Sequence, residues 1–176
     1  MRKIASRHVL YAFNFGGTLA RISRDRDGVK LSCSTHEWVR ELATRVPCAI
    51  VSGRALGDLG PRVNGAVPYL IGNHGVESPL TPAPALSVAE QVCIEWMRQV
   101  DTGLTPLLNT AGIEVEDKRY TLTFHHCRTS ESAEIHETLV LLLNRLIPVP
   151  ELICGKSSVN ALPLGVGEKG RRHLLS

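Results

Sequence analysis

The stretch His8-Val9-Leu10-Tyr11-Ala12-Phe13-Asn14-Phe15-Gly16-Gly17-Thr18-Leu19-Ala20 decides the fold of this 176-residue chain. Its first half is uncharged and rich in β-forming residues, which predicts a strand buried on both faces, as in a parallel sheet. Gly16-Gly17-Thr18 then predicts a sharp turn that leaves backbone N–H groups for other partners. Because ligands bind at the carboxyl ends of strands in open α/β sheets, we expect a ligand site at this turn.

The residues that follow predict a β-α-β unit. Ser34, with Glu37 three residues later, forms a capping box that marks the start of a helix. Two apolar runs, at residues 48–51 and 67–71, predict the second and third strands. Since crossovers between parallel strands are right-handed, the three strands are expected to form one parallel sheet.

The composition changes after this unit. Residues 78–85 contain three prolines and predict a linker. A second capping box, Ser87-Val88-Ala89-Glu90, then predicts a helix, and a hairpin, another helix and two short strands follow it. The order α-β-β-α-β-β predicts a separate two-layer unit inserted into the parallel domain. We therefore expect a first part of the core at 1–78, an inserted unit at 79–163 and a return to the core at 164–176.

Composition and charge exclude several functional classes. The net charge of +3 is small and scattered, so nucleic-acid binding is not expected. No apolar run reaches the roughly 20 residues that a membrane span needs, and the basic N-terminus does not form a signal peptide. The five cysteines never occur as CxxC, which favours reduced thiols and a cytoplasmic location.

Taken together, the motifs resemble those of the trehalose-6-phosphate phosphatases of the haloacid-dehalogenase-like (HAD) superfamily. Residues 14–19 are similar to the first motif, Asp-Phe-Asp-Gly-Thr-Leu, and residues 51–54 to the second, whose hydroxyl binds phosphate. Residues 72–77 resemble the GxHGxE signature, and residues 116–125 resemble the sugar-contacting EDK…LTxHYR stretch. Residues 155–163 and 168–170 together resemble the GKxVxExRP…KG segment.

The resemblance implies an α/β fold: a HAD-like, Rossmann-type parallel sheet core with an inserted α/β cap domain. It also implies two sets of ligand contacts. The phosphate-binding candidates are Thr18, Ser52 and Lys169, with the backbone amides of residues 15–18 as a cradle. The sugar-binding candidates are His74, Glu77, Glu116, Lys118 and Arg128. Each candidate also has a structural interpretation as a turn hydroxyl, a helix cap or a surface charge.

The departures from the family pattern affect the reacting groups. Asn14 stands in place of the nucleophilic aspartate and Gly16 in place of the acid/base aspartate. Further replacements concern the cap arginine and the ExRP segment, at Cys127, Asn160 and Leu162. The chain also reaches residue 176 before any fourth motif, GDDxTDE, which supplies Mg²⁺ ligands in the family.

These departures predict a catalytically impaired protein. An amide has no charge with which to attack phosphorus, and glycine has no side chain to move a proton. Mg²⁺ prefers oxygen ligands that include a carboxylate, so no cofactor is expected here. The favoured prediction is a pseudo-phosphatase that binds a sugar phosphate or inorganic phosphate. The alternatives are an active Mg²⁺-dependent trehalose-6-phosphate phosphatase and a non-enzymatic interaction module.

The missing fourth motif has a structural implication. In the HAD fold its strand flanks the first-motif strand, which here runs from Val9 to Phe13. Without that strand we expect residues 9–13 to form a sheet edge. Since an apolar edge favours pairing with another chain, a homodimer or another partner is expected to cover it.

Overall fold

A computed structural model of the chain describes residues 9–23, 28–126 and 132–166. The chain divides into two units, one extending to Leu80 and the other spanning Thr81–Val166. The predicted α/β class is confirmed, since the first unit contains a parallel sheet with helices and the second an antiparallel sheet with helices. Within the described residues, no helix is long and apolar enough to cross a membrane.

The first unit is built on a three-stranded parallel sheet in the order β1-β2-β3. Its strands are β1 (Tyr11–Asn14), β2 (Cys48–Val51) and β3 (Tyr69–Ile71). Helix α1 (Cys33–Ala43) connects the first two strands and helix α2 (Leu56–Val63) the last two. The predicted β-α-β arrangement is therefore confirmed.

Strand β1 differs from its prediction. The prediction that it is buried on both faces is wrong, because Ala12 and Asn14 are exposed while Tyr11 and Phe13 are only half-buried. The physical reason is its position: in the part of the chain that the structure describes, β2 is the one strand beside β1.

Helix α1 begins earlier than predicted. The residue that caps it is Ser32, whose Oγ accepts a hydrogen bond from Thr35 N at 3.1 Å. Ser34 lies within the first turn, so the predicted capping box is wrong. The cap is set by which side chain reaches the unpaired N–H groups of the first turn.

The second unit contains a four-stranded antiparallel sheet in the order β4-β5-β7-β6. The predicted order α-β-β-α-β-β is confirmed, with a π-helical turn (Val100–Leu104) and helix α4 (Thr105–Thr110) added after the first helix. The other elements are α3 (Ala83–Gln99), β4 (Ile113–Asp117), β5 (Leu122–His126), α5 (Ser132–Leu143), β6 (Glu151–Cys154) and β7 (Ser158–Leu162).

Helix α3 corrects the prediction of a linker over 78–85. It begins at Ala83, with Pro82 as the N-cap and Pro84 in the first turn. Proline is tolerated there because the first N–H groups of a helix have no intrahelical acceptor. Ser87 lies inside the helix, where its Oγ donates to Ala83 O at 3.3 Å, and so does not cap it.

Side chains alternate along β5 and give the second sheet two different faces. Leu122 and Phe124 are fully buried in an apolar core with Trp96 of α3 and Leu139 of α5. Thr123 and His125, which alternate with them along the strand, point to the opposite face. That face is polar and carries Glu116, a predicted sugar-binding residue, which is in register with Thr123.

Candidate functional site

Three parallel strands end at one edge of the first sheet. Asn14, Val51 and Ile71 are in register across it. The next residues extend the ladder, because Phe15 N donates to Val51 O and Ser52 N to Ile71 O, both at 2.9 Å. The strand ends at which a ligand was expected therefore lie side by side.

Asn14 and Gly16 occupy the end of β1. The Asn14 side chain is exposed, and its Nδ2 donates to Gly16 O at 3.0 Å. A Cβ atom added at Gly16 would meet no other atom within 4 Å. These two positions therefore present one neutral amide and open space where the family pattern has two carboxylates.

The turn after β1 is partly closed on itself. Thr18 is exposed, and Gly17 has the positive φ of +83° that favours glycine. Gly17 N donates to Ala20 O at 2.8 Å, and Phe15 N already belongs to the ladder with β2. The prediction that all four backbone amides are available to a ligand is wrong, because the amides of Phe15 and Gly17 donate within the chain.

The turn after β2 is held by the segment that follows β3. Ser52 is only 6% exposed, and its Oγ accepts from Arg54 N at 3.2 Å. The next segment adds two backbone bonds, from His74 N to Ser52 O at 3.1 Å and from Asn73 N to Arg54 O at 2.7 Å. The second motif and the GxHGxE-like segment thus form one interlocked structure.

Glycines permit this close approach. A Cβ atom at Gly53 would lie 2.5 Å from Cε1 of His74, and one at Gly72 would lie 2.8 Å from Arg54 O. His74 itself has a φ of +55° and Asn73 one of +47°, a left-handed conformation that costs free energy in residues other than glycine. The contacts across the two turns hold this strained backbone in place.

Glu77 has a structural role in the first unit. Its Oε2 accepts hydrogen bonds from Leu56 N, at the start of α2, and from Asn73 Nδ2, both at 2.8 Å. The carboxylate therefore links the start of the helix to the strained turn. Its predicted contact with a sugar stays a prediction.

The polar face of the second sheet carries a charged group of three side chains. Nε2 of His125 lies 2.7 Å from Oε2 of Glu116, and Lys118 Nζ lies 3.8 Å from the same oxygen. The Lys118 side chain is only 10% exposed. Two predicted sugar-binding residues, Glu116 and Lys118, are thus close together, with His125 as a third member.

Asn160, one of the departures from the family pattern, links three strands on the same face. It is 6% exposed, and its Oδ1 accepts from Thr123 Oγ1 at 2.8 Å. Its Nδ2 donates to Ile153 O at 3.1 Å. Both ends of the amide are therefore used to join β5, β7 and β6.

Part of the predicted site falls outside the stretches of chain that the structure describes. Arg128, beside Cys127, and Lys169 lie outside the described residues, as does most of the predicted return to the core. Among the residues that are described, no group of three or more His, Cys, Asp or Glu side chains could hold a metal ion.

Acidic groups near the β2 turn are already engaged. Asp58 of α2 accepts hydrogen bonds from Arg54 and Arg62. Burial raises the pKa of this carboxyl, but the two guanidinium groups outweigh it and hold the pKa below its ordinary value. Asp58 is thus an anion at neutral pH that is paired with two cations, and it is poorly suited to serve as a proton carrier.

Sequence reasoning missed the contact between Gly53 and His74 and the inclusion of His125. The contact between Gly53 and His74 could not be predicted from the spacing of the second motif and the GxHGxE-like segment, because it depends on a close approach between distant segments. Strand alternation alone does not reveal the contact between His125 and Glu116, because the two residues are diagonal neighbours. His125 is in register with Glu114 instead.

The fold places the chain among the HAD-like α/β proteins. A solved structure with this fold, the C-terminal domain of trehalose-6-phosphate phosphatase from C. albicans, gives a TM-score of 0.69 at 21% identity, with 92% of this chain and 59% of that one covered. The chain belongs to the trehalose-phosphatase family, whose model matches residues 12–154.

Two curated relatives are similar in sequence. The trehalose-phosphate phosphatase of Mycobacterium tuberculosis is 31% identical over 132 residues, and that of Mycobacterium avium is 34% identical over 128 residues. Each alignment covers 70% of this chain and 32% of the relative. The chain thus spans about a third of the length of these relatives.

Proposed function

We propose that this chain binds phosphate or a sugar phosphate without hydrolysing it. The observation that carries the proposal is the end of β1, where Asn14 and Gly16 lie beside the Ser52 turn. Family members are named as phosphatases. The positions that match their reacting groups hold no carboxylate here, whereas the second-motif turn is present and firmly held.

The first step of hydrolysis lacks its nucleophile. Asn14 is neutral, and its amide nitrogen is directed to Gly16 O rather than to an incoming phosphorus atom. Loss of a nucleophile alone typically lowers the rate by about 10⁴-fold or more. Gly16 cannot protonate a leaving sugar oxygen or activate water. The attack on phosphorus therefore lacks a nucleophile, and the proton transfers lack an acid/base group.

The described donors do not fit Mg²⁺, the ion implied by the family. At the end of β1 they are an amide and a backbone carbonyl, whereas Mg²⁺ sites in proteins normally include a carboxylate. Asp58 is paired with two arginines, and Glu77 accepts from two N–H groups. No step of the proposed function passes through a metal ion.

Anion binding needs donors instead. A hydroxyl that accepts a backbone N–H bond still has a proton to donate, and Ser52 is of this kind. We propose that Ser52 and Thr18 donate to phosphate oxygens, with Lys169 as the neutralising cation. The absence of two carboxylates favours direct binding of an anion, because their repulsion is removed.

We propose that Glu116, Lys118 and His125 contact sugar hydroxyl groups. Carboxylate, ammonium and imidazole groups together offer both acceptors and donors, as hydroxyl recognition requires. The 2.7 Å contact between Glu116 and His125 orients both side chains before a ligand arrives. We also propose sugar contacts for His74, Glu77 and Arg128. We propose a cytoplasmic setting as well, because the spacing of the five cysteines favours reduced thiols.

Calorimetric titration tests the proposal with three ligands: inorganic phosphate, trehalose and trehalose 6-phosphate. Ser52→Ala should weaken binding of both phosphate-containing ligands at least tenfold. Glu116→Gln should weaken only the two sugar ligands. Ser87→Ala is the matched control, because this hydroxyl lies on a helix and bonds its own backbone.

Two results would contradict the proposal. One is the absence of heat with all three ligands at millimolar concentration. The other is Mg²⁺-dependent release of phosphate from trehalose 6-phosphate by the purified chain, abolished by Asn14→Ala, which would favour the active-phosphatase alternative.

A second proposal concerns association. In the described part of the chain, β1 has a strand neighbour on one side, and Val9 and Leu10 just before it are nearly half exposed. Trp38 is also exposed, and the centroid of its ring lies 6.0 Å from that of Phe13. We propose that a second copy pairs with this edge. Analytical ultracentrifugation should show a dimer that Ala12→Pro abolishes, and a stable monomer at high micromolar concentration would contradict it.

A further inference from the structure

Two histidines meet between β5 and α5 in the second unit. Nε2 of His126 lies 3.1 Å from Nδ1 of His136, and the rings are edge to face with centroids 5.2 Å apart. His126 is 5% exposed at the end of β5, and His136 is half-buried in the first half of α5. One ring donates and the other accepts, so the contact needs at least one unprotonated nitrogen.

The second nitrogen of His126 has no such contact. Its Nδ1 is buried, and among the described residues it has no hydrogen-bond partner. A neutral ring can donate through Nε2 and leave Nδ1 as a bare acceptor. A protonated ring instead carries an N–H at Nδ1, and burying that donor without an acceptor costs more free energy.

Among the residues that the structure describes, the groups around His126 offer no negative charge to compensate a positive one. The charges that act on it are those of His136 on α5 and His125 on β5, both cationic when protonated. Opposite it on β4 is the apolar Ile113. The carboxylates that flank His136 on α5, Glu134 and Glu137, have exposed side chains. Burial first, and the two histidines second, hold the pKa of His126 below its ordinary value.

We propose that the contact between His126 and His136 is an acid-sensitive latch that holds α5 on the second sheet. The first proton keeps the hydrogen bond, because a protonated His136 donates to Nε2 of a neutral His126, but it moves the remaining proton of His126 to the buried Nδ1, which has no acceptor among the described residues. A second proton puts N–H groups on both facing nitrogens, so the hydrogen bond is lost and two positive charges face each other. Since Ile135 in the first half of α5 packs against the apolar core, release of that half weakens the packing of this unit.

Hydrogen–deuterium exchange of the whole chain between pH 7.5 and pH 5.0 tests the proposal, after correction for intrinsic exchange rates. Peptides from α5 should show an opening constant that rises by up to about tenfold per pH unit for each proton taken up, starting below about pH 6.5. Peptides from α1 in the first unit should not show this rise.

Variants separate the latch from general acid instability. His136→Gln keeps a hydrogen-bonding side chain without a titratable charge, so the pH dependence at α5 should become weaker than in the wild type. His126→Leu should do the same through an apolar side chain that suits the buried position. His36→Gln is the control, since that ring contacts Asn64 O at 3.0 Å in the first unit.

The comparison uses the change of the α5 opening constant with pH and not its absolute value. A variant with lower stability at pH 7.5 is therefore still informative. The proposal is overturned if α5 of the wild type follows the same pH dependence as α1. It is also overturned if His136→Gln retains the wild-type slope.

Discussion

The imidazole ring of His74 lies against the backbone of Gly53, so closely that a Cβ atom there would be 2.5 Å from Cε1. This contact joins the second-motif turn after β2 to the segment after β3. Three backbone bonds surround it, including the bond from His74 N to Ser52 O. The position of the proposed phosphate-binding hydroxyl therefore depends on a side chain 22 residues away from it.

Gly53→Ala should disturb this contact. The new methyl group forces the His74 ring or the turn to move, and we expect a loss of about 1–3 kcal/mol in the free energy of unfolding together with weaker phosphate binding. Chemical denaturation and calorimetry measure the two effects. Gly57→Ala in α2 is the control, because a Cβ there meets nothing within 4 Å, and it should stabilise by about 0.5–1 kcal/mol. Equal effects of the two substitutions would contradict the interpretation.

Glu77→Ala should destabilise the first unit. It leaves Leu56 N and Asn73 Nδ2 without their carboxylate acceptor, and one unsatisfied buried donor costs about 1–3 kcal/mol. Urea denaturation monitors the change, with the exposed Glu37→Ala as the matched control. If Glu77 instead serves only a ligand, the unfolding midpoint stays unchanged and sugar affinity alone falls.

Restoring both motif carboxylates should not restore hydrolysis. Gly16→Asp is sterically tolerated, since nothing lies within 4 Å of a Cβ there, so combination with Asn14→Asp tests the chemistry rather than the folding. We expect no Mg²⁺-dependent phosphate release, because the described residues offer no group of three or more acidic, histidine or cysteine side chains that could hold the ion. Phosphate binding should weaken through repulsion, whereas the neutral double variant Asn14→Ala, Gly16→Ala keeps it. Turnover by the double-aspartate variant would refute this prediction.

Two cysteines of the second unit should differ strongly in reactivity. Burial, together with the charges of Asp117 and Glu90, raises the pKa of Cys93 to about 12, whereas Cys154 is exposed. Because the thiolate is the reactive form, iodoacetamide at pH 8 should modify Cys154 within minutes and Cys93 only after unfolding. Peptide mass spectrometry reads both sites in one sample. Equal labelling of the two thiols in the folded chain would contradict the burial of Cys93.

Thr123→Val should destabilise the second sheet by about 1–2 kcal/mol. The substitution keeps the shape but leaves Asn160 Oδ1 buried without its donor. Thermal unfolding measures the loss, and the exposed Thr110→Val in α4 is the control. If Thr123→Val behaves like the control, the hydrogen bond between Thr123 and Asn160 does not contribute to stability.

The amino-acid sequence by itself determined the class of fold, the family and the order of the elements. Apolar runs of four or five residues that end in glycine or serine predict parallel strands with a site at their ends, because burial and turn chemistry are local properties. The same local signals failed at the starts of α1 and α3. Ser32 caps α1 through its hydrogen bond with Thr35 N, and α3 begins after Pro82, and the residue types alone do not show which of several candidate residues starts a helix.

Only the tertiary structure decided which residues meet. The exposure of Ala12 and Asn14 on β1 follows from the place of this strand beside a single described neighbour, not from its apolar composition. The contacts of Gly53 with His74, Glu77 with Leu56, His125 with Glu116 and His126 with His136 join positions that are far apart along the chain or related only by strand register. Their physical basis is close packing between segments, which a linear pattern of residue types does not encode.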